Sequence, residues 1–70
     1  MNKIFCQRLK ELRLDKEMRQ TDLAKVLHIA ANTISSWERG NSTPSIDELN
    51  TLAELFKVTT DYLLGRTDEY

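Results

Sequence analysis

Seventy residues with a formal net charge of −1 make one small domain, 1–70, of a size that buries only about 60% of its unfolded surface and has little room for a deep catalytic pocket. Hydrophobic residues at 40% and charged residues at 30% are those of a soluble globular protein, and no apolar run approaches the ~20 residues that cross a bilayer. A single cysteine, Cys6, and a single histidine, His28, exclude an internal disulfide and a metal centre of the usual nitrogen and sulfur ligands, so no metal, no cofactor and no enzyme is expected.

The opening Met1-Asn2-Lys3-Ile4-Phe5 lacks the apolar core and small-residue cleavage site of a secretory leader, which points to a cytoplasmic protein. A first helix is predicted over about 2–15, because Phe5, Leu9 and Leu12 recur at i, i+4 and i+7. Cys6 reads as a small hydrophobe on its edge, and Arg13 lies beside the stripe, where its stem can pack and its guanidinium can reach a neighbour. A charged link, 16–19, leads to a short second helix over 20–27 with Leu23, Ala24 and Leu27 inward. His28 then falls where the chain leaves the helix in a left-handed conformation, a place for glycine that histidine also tolerates.

A third helix is predicted over 31–39, closed by Gly40. At 100° per residue it carries Asn32, Ser35, Ser36 and Arg39 on one side, and Ile34, Trp37 and Glu38 on the other. Trp37 reads as core. A loop, 40–44, precedes Ser45-Ile46-Asp47-Glu48, a capping box in which the serine hydroxyl and the glutamate satisfy each other's backbone donors. It opens a fourth helix to Phe56 with the stripe Ile46, Leu49, Leu52, Ala53 and Phe56, leaving Leu55 off it. Thr59 or Thr60 caps a last helix, 61–64, ended by Gly65, and residues 66–70 read as a linker or tail.

Helices 2 and 3, joined by about three residues, have the layout of a DNA-binding helix-turn-helix, whose second helix enters the major groove. The polar side of helix 3 suits base reading. Asn32 can make a bidentate contact to adenine, Ser35 and Ser36 can donate or accept, and Arg39 can hold a phosphate. Charge is also unevenly spread. Residues 1–40 sum to +3 and residues 41–70 to −4, so the chain can present a basic half to an anionic partner.

The order Gln20-Thr21-Asp22-Leu23-Ala24-Lys25-Val26-Leu27, then Thr33-Ile34-Ser35-Ser36-Trp37-Glu38-Arg39-Gly40, then Pro44-Ser45 and Thr60-Asp61-Tyr62-Leu63-Leu64-Gly65 resembles the phage repressor and Cro-type (XRE) helix-turn-helix family. The resemblance implies an all-α, compact five-helix bundle of the lambda-repressor-like type. It implies phosphate contacts from Gln20, with Arg19 beside it, and base reading by Ala31, Asn32 and Ser36, with Ser35 close by. Arg39, Ser42 and Thr43 match positions that touch the DNA backbone. Dimers in such proteins often form around the connection between helices 4 and 5.

The resemblance also implies that Arg13 meets Glu38 inside the fold, which accounts for a carboxylate on an apolar face: alone there it would be a costly charge. Two positions depart from the family pattern. His28 stands where glycine is usual, and Ala30 stands at the cap of helix 3 where serine or threonine is usual. The expected function is a sequence-specific DNA-binding transcriptional regulator, a repressor, acting on double-stranded DNA as a homodimer that is weak in the isolated domain. The competing reading is a protein-interaction module that keeps the fold without specific DNA binding, favoured by the isoelectric point of 5.7.

Overall fold

Five helices follow one another in the computed structural model, which describes residues 3–70: α1 (Lys3–Asp15), α2 (Gln20–Leu27), α3 (Ala31–Arg39), α4 (Ile46–Phe56) and α5 (Thr60–Leu64). The described residues contain no strand, and the fold is all-α. Asn2, the expected start of the first helix, lies outside the described residues. No helix among them is long and apolar enough to cross a membrane.

The core is built from one wholly buried aliphatic per helix: Leu9, Leu23, Ile34, Leu52 and Leu63, in chain order, are each 0% exposed. Phe5, Trp37 and Phe56 fill the space between them. Each such side chain taken out of water contributes about 1.5–3 kcal/mol, which is how helices as short as these hold their shape. α3 packs on both α1 and α2, while α5 closes against α1 and α4.

All five helices stop in the same way. Just past the last turn one residue turns left-handed, and its own N–H and that of the residue after it fold back onto carbonyls of the final turn. Only Gly40 and Gly65 are glycines there; Glu17, His28 and Lys57 adopt φ near +57° despite their side chains. His28 does so as its position demands. Gly65 is required twice over, because a Cβ at that point would stand 2.8 Å from Ile4 Cγ2.

At the helix starts, Ser45 and Glu48 form the expected capping box, and Thr59 accepts the N–H of Tyr62. Ala30 caps α3 with no side-chain bond. One member of the α4 stripe departs from expectation: Ile46 is 78% exposed. It occupies the first turn, at the edge of an arc centred on Leu52 and Phe56, while Leu55 turns toward the core and is half-buried against it.

The tail is tied down. The Arg8 guanidinium donates to the carbonyls of Tyr62 and Thr67 and to Asp68 Oδ1 at 2.7 Å. It also lies 4.0 Å from the centroid of the Tyr62 ring, which packs 4.6 Å from that of Tyr70. Residues 66–70, which read from sequence as a linker or tail, are therefore held against α1 through Arg8, a residue that the sequence marks only as part of a basic half.

Candidate nucleic-acid interface

The orientation of α3 is fixed from its inner side. Arg13 of α1 grips Glu38 with two bonds, Nε to Oε2 at 2.7 Å and Nη2 to Oε1 at 3.1 Å, and the two side chains are 9% and 5% exposed. The remaining Nη1 donates to the Met18 carbonyl at 2.7 Å, in the link to α2. A third donor reaches the same carboxylate: Gln20 Nε2, at 3.1 Å from Oε1. One carboxylate thus joins α1, α2 and α3. A bidentate, charge-assisted pair of this kind fixes angle as well as distance.

Gln20 is consequently engaged with Glu38. A carboxylate only accepts, so the amide turns its nitrogen inward toward Glu38. Arg19 sits outside this network. Its guanidinium pairs with Asp22 at 3.2 Å, and Asp22 Oδ2 also accepts the Arg19 backbone N–H. These bonds from Arg19 hold the Asp22 carboxyl below its ordinary range. The pair is on the surface, with the Arg19 side chain 81% exposed, so its attraction is easily exchanged for a stronger anion.

On the outer side of α3, Asn32 and Arg39 are exposed, and Ala31, Ser35 and Ser36 are half-buried. Arg39 folds back so that Nε donates to the Ser35 carbonyl at 3.3 Å. Ser36 bonds Ser42 of the following loop, Oγ to Oγ at 2.7 Å, while Thr43 beside it is exposed. That bond brings loop residue Ser42 against the outer side of α3. Neither the Gln20 to Glu38 bond nor the Ser36 to Ser42 bond carries a sequence signal, because each depends on where separate segments meet.

One further cation, Lys3, borders the end of α3. Lys3 and Gln7 of α1 border an open cleft of about 310 Å³ together with Arg39 and Gly40. Two cations on one groove make the end of α3 more attractive to phosphate than Arg39 alone. In the sequence Lys3 counts only toward the basic half, since nothing along the chain marks its nearness to Arg39. Among the described residues there is no group of acidic, histidine or cysteine side chains able to hold a metal ion.

A family profile described as helix-turn-helix matches residues 9–63. Among curated proteins, the chain is 36% identical over 66 residues to YobD of Bacillus subtilis, named an uncharacterized transcriptional regulator, covering 94% of this chain and 59% of that one. It is 37% identical over 61 residues to the transcriptional activator BcrR of Enterococcus faecalis, covering 87% of this chain and 30% of the relative. It is 39% identical over 51 residues to the 26 kDa repressor protein of Escherichia phage HK022, covering 73% of this chain and 22% of the relative. The chain thus spans less than two thirds of the length of each of these relatives.

Proposed function

Because the chain belongs to the helix-turn-helix family of phage repressor and Cro type, we propose that it is a sequence-specific DNA-binding transcriptional regulator that reads the major groove with α3. The observation that carries this reading is the division of α3. Its inner side is fastened by Arg13 and Glu38, and its outer side offers Asn32, Ser35 and Ser36 for base edges. Arg19, Gln20, Arg39, Ser42 and Thr43 serve the phosphates, with Lys3 added to them, and Ala31 meets the bases at the start of the helix.

A domain of this size covers few base pairs, and α3 has no cation before Arg39. It therefore acts as a homodimer on two inverted half-sites about 10 base pairs apart, with both third helices in successive major grooves. The relatives include both an activator and a repressor. We assign repression here, since occupancy of an operator alone is enough to block a promoter. The protein works in the cytoplasm, on double-stranded DNA.

The test is a salt titration of duplex binding. A dimer touching roughly six to ten phosphates loses affinity with a slope of about 0.9 per contact in log K against log salt, or 10³- to 10⁵-fold between about 50 and 200 mM. A flat salt dependence would replace this reading with a protein-interaction module that uses α3 or the acidic half, 41–70, to bind a protein partner.

A further inference from the structure

We propose that Ser42 sets the hydrogen-bonding polarity of Ser36, and through it selects the base at one position of each half-site. The inference rests on the DNA-binding reading above and goes beyond it, since that reading gives Ser42 a backbone contact only. Its basis is the 2.7 Å bond between the two hydroxyls, which joins the outer side of α3 to the loop that follows.

Each hydroxyl has one proton and two lone pairs. In a bond between two of them, one proton is used and one remains. If Ser42 donates, Ser36 keeps its proton and suits base acceptors such as guanine O6 and N7 or thymine O4. If Ser36 donates, it turns only lone pairs outward and suits the amino groups of adenine or cytosine.

What decides between these states is the fate of the Ser42 proton. Ser42 lies in the loop beside the exposed Thr43, where the DNA-binding reading above puts the phosphate backbone. A phosphate oxygen is an acceptor only, so the Ser42 hydroxyl donates its hydrogen bond to it. Ser42 then accepts from Ser36, and Ser36 is left as an acceptor facing the groove. A backbone contact, which by itself carries no sequence information, is thereby converted into a preference for adenine or cytosine. Ser42 is a positioning residue in this arrangement; Ser36 is the one that touches the base.

Selection of bound duplexes from a random pool, with the full chain as wild type and as Ser36→Ala, Ser42→Ala, these two combined, and Ser42→Thr, tests the arrangement. The wild type should prefer adenine or cytosine at one position per half-site, by about 3- to 10-fold, the worth of one hydrogen bond. Ser36→Ala and Ser42→Ala should relax that same position and no other, the double variant should be no worse there than either alone, and Ser42→Thr should restore it. Thermal midpoints of the four variants should stay near wild type. Uniform weakening by Ser42→Ala with the preference intact would overturn the inference, as would a wild-type preference for guanine or thymine at the position lost in Ser36→Ala. Selection of no sequence at all by the wild type would instead overturn the parent reading, and this inference with it.

Discussion

The two sides of α3 are made of the same nine residues and are used in opposite ways. Inward, Ile34 and Trp37 are 0% and 2% exposed, and the Glu38 carboxylate accepts from both Arg13 and Gln20. Outward, Asn32 and Arg39 stand exposed, and that side is tied by one carbonyl bond from Arg39 and by the hydroxyl pair with Ser42. One side is consumed in making the fold, while the other is left to meet a partner. The difference teaches that stability and recognition can be altered separately in a helix of under three turns, provided the change falls on the correct side.

The strongest way to break that comparison is at the buried pair. Replacing Arg13 by Met leaves the Glu38 charge inside with only Gln20 to offset it, and should cost about 3–5 kcal/mol in urea unfolding followed by Trp37 fluorescence. Changing Arg13 to Met and Glu38 to Leu together should recover much of the loss. If Arg13→Met moves the midpoint no further than a surface substitution does, the inner side of α3 is not where its stability resides.

Asn32 gives the matching test outside. Asn32→Ala should lower affinity for the preferred duplex by about 1–3 kcal/mol per half-site and relax one A·T position, with binding to random DNA and the unfolding midpoint almost unchanged. Identical selected sequences for the two proteins would move the reading side elsewhere.

The smallest effect is expected where the two sides meet, at the start of the helix. Ala30 is exposed, with φ −76° and ψ 146°, and has no side chain to satisfy the first N–H groups of α3. Ala30→Ser should raise stability by about 1 kcal/mol, read as a higher thermal midpoint. A lower midpoint would mean that the serine cannot reach those donors.

The helices are legible in the sequence because α2, α3 and α4 each show an apolar side and an end signal such as Ser45 with Glu48, while α1 shows its stripe and α5 its cap and Gly65. Arg13 and Glu38 are legible through the resemblance, supported by the anomaly of a charge among Ile34 and Trp37. Ile46 defeats the stripe because periodicity assigns a side of a helix and is silent on whether a neighbour extends far enough along it to cover the first turn. The left-handed Glu17 and Lys57 carry no mark either, since their composition is that of any surface turn. Within the candidate interface, the shared side of Asn32, Ser35, Ser36 and Arg39 follows from 100° steps. The bonds Gln20 to Glu38 and Ser36 to Ser42, and the nearness of Lys3 to Arg39, do not follow, because they arise only once separate segments have been folded against each other.

The grip of Arg8 on the tail also orders events in time. Its partners Tyr62, Thr67 and Asp68 are 54, 59 and 60 positions along the chain, whereas Arg13 finds Glu38 after only 25. On a ribosome that delivers residues from the amino end, α1, α2 and α3 can therefore assemble around the Glu38 carboxylate while the last helix is still in the exit tunnel. Arg8 has to wait for the end of the domain to emerge. The contacts nearest the proposed reading helix are thus the first available, and the clasp that joins the two ends of the fold is the last.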